Sequence, residues 1–248
     1  MSAPATLIRR IALQGRYETM GMLRNGEQLL IAIVLPLLAL IGLTVTPLLD
    51  TYTDDRIAMA APGVLALCTV STALTGQGIA TGFDRRYGVL RFLSTTPLGQ
   101  SGLILGKIIA VLAIMVIQVV VVGGTALLFL GWQPALGGLL PAAAQLVLGA
   151  AAFTSLGLLI AGTVRPEATL AITNLLWVLL AAAGGILFPV ASWPDVFEPA
   201  AHLLPSTALG DALRSALIDA QFNLTASIVL LVWTVVASLA AIRWFKWS

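Results

Sequence analysis

The chain has 248 residues, 59 % of them hydrophobic and only 10 % charged, with a mean hydropathy of +1.00. A soluble domain of this length carries about 25 % charged residues, so the polar surface here is too small to cover a water-soluble globule, and an integral membrane protein is expected. The net charge of +2 is scattered between apolar runs, which argues against a nucleic-acid surface, and the single Cys68 rules out a disulfide framework or thiolate metal cluster within one chain.

The segment from Pro4 to Gly26 predicts an amphipathic helix lying on the inner interface. At about 100° per residue, Ile8, Ile11, Ala12, Gly15, Met22 and Leu23 share one arc, and Arg9, Arg10, Arg16 and Arg24 the opposite one, toward water and lipid phosphates. Glu18 falls inside the apolar arc and breaks the pattern. The first apolar run begins near Leu29, behind a basic stretch too long for a signal n-region, so it reads as a retained span.

Six apolar stretches follow, at residues 29–46, 57–79, 108–130, 139–163, 168–188 and 224–242. Each is close to the roughly 20 helical residues that cross a bilayer core. None shows the 10-residue alternating segments of a barrel, so the expected class is all-α, with six transmembrane helices. Pro36 removes a backbone hydrogen bond and predicts a kink in the first span. Gly123-Gly124, Gly149 and Gly184-Gly185 predict close helix–helix approach. In the outer segment, residues 189–223, four prolines (Pro189, Pro194, Pro199 and Pro205) precede a short helix. Ser206 or Thr207 could cap it, and Leu209, Leu213 and Leu217 give it one apolar face. A structured element dipping into the outer leaflet is expected there.

Orientation follows from Lys and Arg near the span ends. With the N-terminus inside, Arg9, Arg10, Arg16, Arg24, Arg85, Arg86, Arg91, Lys107, Arg165, Arg243 and Lys246 are inside, against Arg56 and Arg214 outside, eleven to two of the 13 basic residues. Asp50, Asp54, Asp55, Asp195, Glu198, Asp211 and Asp219 fall outside. Both termini are therefore expected in the cytoplasm. Trp132 and Trp193 at outer ends, and Trp244 and Trp247 at the inner end, suit an interfacial belt.

Catalytic sets are hard to assemble. His202 is the lone histidine, with no cysteine nearby, so no metal site is expected. Gly102-Leu103-Ile104-Leu105-Gly106-Lys107 is one residue short of a phosphate-binding loop, lacks its Ser/Thr and runs into a span. No ATP or magnesium site is expected in this chain. Every carboxylate reads as lying near a span end or in a loop, which disfavours an ion-coupled transporter. The polar residues within spans are mild: Ser71, Thr72, Thr75 and Gln77, then Gln118, then Thr173 and Asn174 beside Trp177, then Thr234 and Ser238. Interhelical hydrogen bonds are one reading. A translocation path lined by Ser71, Thr72, Thr75, Gln77, Thr173, Asn174 and Trp177 is the other. Asn223-Leu224-Thr225 is a formal glycosylation sequon, but it abuts a span.

The inner segment of residues 84–107 carries charges, a glycine, a proline and a short apolar face. It resembles the cytoplasmic loop of type-2 ABC exporter permeases, which reads acidic-x-x-x-Gly-[Thr/Val]-Leu-x-x-Leu, then Thr-Pro, then Gly-Lys. Asp84, Gly88, Val89, Leu90, Leu93, Thr96-Pro97 and Gly106-Lys107 stand at those places. Arg86 stands where the family often has a second acid. Leu204-Pro205-Ser206-Thr207 with Ala212-Leu213-Arg214 resembles the family's outer motif before the last span. The resemblance implies a pair of six-span chains, identical or related, over two ATPase subunits that bind ATP and magnesium. It also implies a coupling helix after the second span, working with the N-terminal helix, and re-entrant outer helices. On this reading Asp84, Arg85, Arg86, Tyr87, Gly88, Leu90, Arg91, Leu93 and Pro97 meet the ATPase. The implied activity is export of an amphipathic drug, antibiotic, lipid or lipid-linked compound from a prokaryotic cell. An ion-coupled transporter and a non-transporting scaffold are the rivals.

Overall fold

The structure is a computed structural model that describes residues 6–190 and 198–245. Pro4, Trp193, Pro194, Asp195, Lys246 and Trp247, named above, lie outside the described residues. All regular structure in the described residues is helical. In chain order the helices are α1 (Leu7–Arg24), α2 (Gly26–Val45), α3 (Arg56–Arg86), α4 (Val89–Ser94), α5 (Gly99–Phe129), α6 (Leu136–Thr163), α7 (Pro166–Ala183), α8 (Glu198–Ala201), α9 (Pro205–Leu217) and α10 (Leu224–Trp244).

Five of them, α3, α5, α6, α7 and α10, are long and apolar enough to cross a membrane. The helix over the first expected span, α2, runs unbroken through Pro36, and its apolar stretch Ala32–Val45 is shorter. The long helices differ from the expected spans mainly at the inner face. Helix α3 continues to Arg86 and α5 begins at Gly99, so the inner loop shrinks to a tight connection holding the short α4. Gly88 makes that connection possible: its φ of 76° is left-handed, a region L side chains avoid.

Two helices depart from α geometry in mid-span. Ser71–Gly76 in α3 and Val119–Gly123 in α5 are π-helical, a geometry often associated with functional sites. In α7 the helix stops at Ala183, earlier than expected, because Gly184 and Gly185 follow and Gly185 takes a φ of 72°.

The core is built around α3, α6 and α9. Leu209, Leu213 and Leu217 are buried, as their spacing predicts. The cap of α9 differs from expectation. The helix opens on Pro205, and neither Ser206 nor Thr207 caps it; Thr207 instead donates to the Gly184 carbonyl at 3.1 Å. Asn223 of the sequon caps α10 by accepting from the Ala226 amide at 3.0 Å, so the side chain has a structural role.

Glycine packing is redistributed. Gly149 packs against Leu209, and Gly184 and Gly185 against Ser206 and Thr207, as expected of small residues. Gly124 faces open space, and Gly123 meets only the rim of Trp132 at 3.9 Å. Close contacts also fall on glycines that the sequence does not single out, the tightest of all at Gly138. A Cβ on Gly138 would meet the Ala216 carbonyl, one on Gly157 the Leu74 carbonyl, and one on Gly106 the Gln14 side chain. Trp132 is likewise buried in the core and does not belong to an interfacial belt, whereas Trp244 is exposed.

Candidate functional site

A cavity of about 670 Å³ opens between α2, α3 and α7, closed at one end by the end of α1. Its wall on α3 runs from Ser71 to Asp84. At 1.5 Å per helical residue, that spans about 20 Å. The π-helical segment of α3 supplies Ser71, Thr72, Thr75 and Gly76; α7 supplies Asn174 and Trp177. Five of the seven expected path residues therefore meet here: Ser71, Thr72, Thr75, Asn174 and Trp177.

The other two do not line it. Thr173 is buried and returns its hydroxyl to the Thr169 carbonyl at 2.8 Å. Gln77 is buried, its amide donating to the sulfur of Met22, which does line the cavity. The cavity's polar edge is organised by bonds between helices. The Trp177 indole N–H donates to Ser71 Oγ at 2.6 Å. Thr72 donates to Gln118 at 3.1 Å, and Gln118 in turn donates to the Ala32 carbonyl at 2.9 Å, joining α3, α5 and α2. Ser155 and Ser238 link α6 to α10 at 2.8 Å.

At the Asp84 end of the cavity lies a charge cluster around a buried lysine. Lys107 has no solvent exposure. Its Nζ sits 3.0 Å from the Glu18 carboxylate, 3.3 Å from Asp84 Oδ2 and 3.5 Å from Gln77 Oε1. Gln14 donates to Glu18 at 2.9 Å. Two corrections follow. Lys107 is interior to α5, two turns past its start, and does not open a span at a loop. Its carboxylate partners are only part-buried, with side-chain exposures of 11 % for Glu18 and 31 % for Asp84, and Asp84 lies two residues from the end of α3, near a span end as expected. The face that α1 packs on α5 is Ile11, Gln14, Gly15 and Glu18, at helical spacing, with Met22 reaching Gln77 of α3, while Ile8, Ala12 and Leu23 are exposed. The arc is rotated because a buried lysine on α5 makes a polar stripe the better partner. Glu18, the exception in the apolar arc, was the available signal.

The inner loop is partly committed to the fold. Arg85 donates to the Ala161 and Val164 carbonyls at 2.9 and 3.0 Å, capping the end of α6. Arg86, at the family's acidic position, pairs with Glu167 at 2.9 Å, at the start of α7. Asp84 faces Lys107. Leu90 is fully buried with Leu98 and Leu103, and Leu93 packs against them, so they do not form the apolar edge toward water that the sequence suggests. The exposed groups include Arg86, Tyr87, Arg91, Pro97 and Phe92, the last not anticipated. Arg10 of α1 hydrogen-bonds the Pro97 carbonyl, tying α1 to this loop. Arg9, Arg16 and Arg24 are exposed.

Between α2 and α3, Arg56 pairs with both oxygens of Asp50 and donates to the Thr44 and Val45 carbonyls, clasping the turn. The Arg56 hydrogen bond holds the Asp50 carboxyl below its ordinary value. Arg214 is buried. It donates to the Gly185 and Ile186 carbonyls, where α7 has stopped, and pairs with Asp211 at 3.1 Å. Burial raises the Asp211 carboxyl against the pull of Arg214 and His202, and lowers the Arg214 guanidinium. His202 faces Asp211 at 3.4 Å. Neither Lys107 nor Arg214 is a surface charge, so the inside-to-outside count rests on the other eleven basic residues. Arg214→Met leaves two carbonyls without their donor and Asp211 with His202 alone. It is expected to lower stability by about 2–5 kcal/mol, read as a fall in thermal midpoint in micelles.

A search of curated proteins finds none that matches this chain. A family model described as ABC-2 type transporter matches residues 11–218, from the first helix to the end of α9. With its array of long apolar helices, this is a multi-pass membrane protein that belongs to the ABC-2 type transporter family, as a permease subunit.

Proposed function

We propose that the chain is the permease of an ATP-driven exporter that moves an amphipathic substrate (a drug, antibiotic, lipid or lipid-linked compound) out across a prokaryotic cell membrane. The observation that carries this reading is the cavity, where Ser71, Thr72, Thr75, Asn174 and Trp177 meet on apolar walls. Pockets for organic ligands combine a largely apolar lining with a few placed polar groups.

In this proposal α2 joins the five long helices as a sixth span, and both termini are cytoplasmic. Two permease chains, identical or related, pair over two ATPase subunits that bind ATP and magnesium. The ATPases dock on the inner connection, where Tyr87, Arg91 and Phe92 are exposed. α4 is the coupling helix, and α9 the re-entrant element. Motion reaches the spans through α1, which contacts both the loop at Pro97 and the interior of α5 at Lys107.

The test fills the cavity. In the complex with its ATPase, Ala80→Trp is expected to cut substrate-stimulated ATP hydrolysis about tenfold or more by occupying the lining. Unstimulated hydrolysis should change little. Full stimulation in that variant would refute the cavity as the path. The charge cluster at Lys107 gives the ion-coupled alternative one observation in its favour; transport that survives ATP depletion but collapses with the proton gradient would select it.

A further inference from the structure

We propose that the cavity selects organic monocations, an ammonium head on an apolar body, with Asp84 as the counter-ion. This rests on reading the cavity as the substrate path and names the class of substrate.

The charges at its Asp84 end do not balance. One cation, Lys107, faces two carboxylates, Glu18 and Asp84, leaving one negative charge. Asp84 lines the cavity; Lys107 and Glu18 do not. The lysine has no exposed surface and spends its three donors on Glu18, Asp84 and Gln77, so it stands behind the carboxylate and cannot greet an anion. The Asp84 contact to Lys107 uses Oδ2, which leaves acceptor capacity on the carboxylate.

Neighbouring cations are turned elsewhere. Arg85 is bonded to the end of α6, Arg86 to Glu167, and Arg24 is exposed and outside the lining. Phe83 lines the wall one residue from Asp84 and offers a ring to a cation. Farther along α3 the lining is apolar at Ile79 and Ala80, and it turns polar again from Thr75 through Thr72 to Ser71, which lies beside Trp177. The fitting ligand carries one positive charge at one end, an apolar middle and at most about 20 Å of length. The Asp84 side chain is 31 % exposed, so its pull on a cation is partly screened by water and the discrimination by charge is moderate.

The experiment measures equilibrium binding to the chain in lipid nanodiscs, relative to empty discs. Dodecyltrimethylammonium is compared with the uncharged dodecyl dimethylamine oxide, both below their micellar concentrations. The wild type is expected to favour the ammonium by about tenfold. Asp84→Asn should bring that ratio to about one, and Asp84→Glu should keep it. The asparagine variant retains the balanced Glu18–Lys107 pair, so it is expected to fold, and its thermal midpoint checks this. A wild-type ratio near one, or an unchanged ratio in Asp84→Asn, overturns the proposal. If Ala80→Trp weakens both probes while the wild-type ratio is one, the cavity stands and only charge selection falls. If neither probe binds, or Ala80→Trp weakens neither, the cavity reading falls with it.

Discussion

Replacing Lys107 by methionine is expected to destabilise the protein by about 3–5 kcal/mol, the cost of removing one partner from a buried ion pair. The side chain is fully buried, and its loss leaves Glu18 and Asp84 facing each other without a cation. The damage should concentrate where α1 meets α5, since Glu18 is the only carboxylate on the buried stripe of α1. Thermal unfolding in micelles measures the total, and protease cleavage within α1 reports the local release. The triple variant Glu18→Gln, Asp84→Asn, Lys107→Met removes all three charges and is expected to recover most of the loss, because neutral groups carry no unpaired-charge penalty. A methionine variant as stable as wild type would mean that the cluster is hydrated.

Gly138→Ala should be the most disruptive single methyl group in the molecule. The added Cβ would lie 1.6 Å from the Ala216 carbonyl oxygen and 2.6 Å from its carbon, both backbone atoms that cannot rotate aside. The α6 start and α9 must separate, and the adjacent hydrogen bond from Ala135 N–H to the Leu217 carbonyl, 2.9 Å, goes with them. A loss of about 3 kcal/mol or more, at the upper end for overpacking, is expected. The control is Gly124→Ala. Nothing lies within 4 Å of its Cβ position, the backbone is helical, and alanine is favoured over glycine there by about 0.5–1 kcal/mol. The two midpoints should therefore move in opposite directions. Equal effects would show that helix propensity, not close approach, governs these glycines.

Much of the cavity was legible before folding. Mild polar residues in an otherwise apolar span have few reasons to exist, and Ser71, Thr72, Thr75, Asn174 and Trp177 do converge. Gln77 and Thr173 do not line it for a reason of helix geometry: they lie on the same helices as the lining residues but face inward, where the neighbours are Lys107 and the Thr169 carbonyl. The inner motif was recognisable as a pattern, yet the roles within it were not. Leu90 looks like a docking edge until Leu98 and Leu103 are seen to cover it, and Arg85 looks like a partner contact until the end of α6 claims it.

Composition and the run lengths of apolar residues determined that the chain is a helical membrane protein, because a backbone in lipid must satisfy its own hydrogen bonds and these runs are long enough to do so. The spacing of Leu209, Leu213 and Leu217 determined the buried face of α9. Tertiary structure alone decided where the charges went. Glu18 and Lys107 are 89 positions apart, and Arg214 reaches carbonyls 28 and 29 positions away. Sequence can register such residues only as exceptions, a carboxylate on an apolar arc or a cation counted toward topology. Burying a charge is costly unless a partner arrives from elsewhere in the fold, and that partner is specified by packing rather than by any local period.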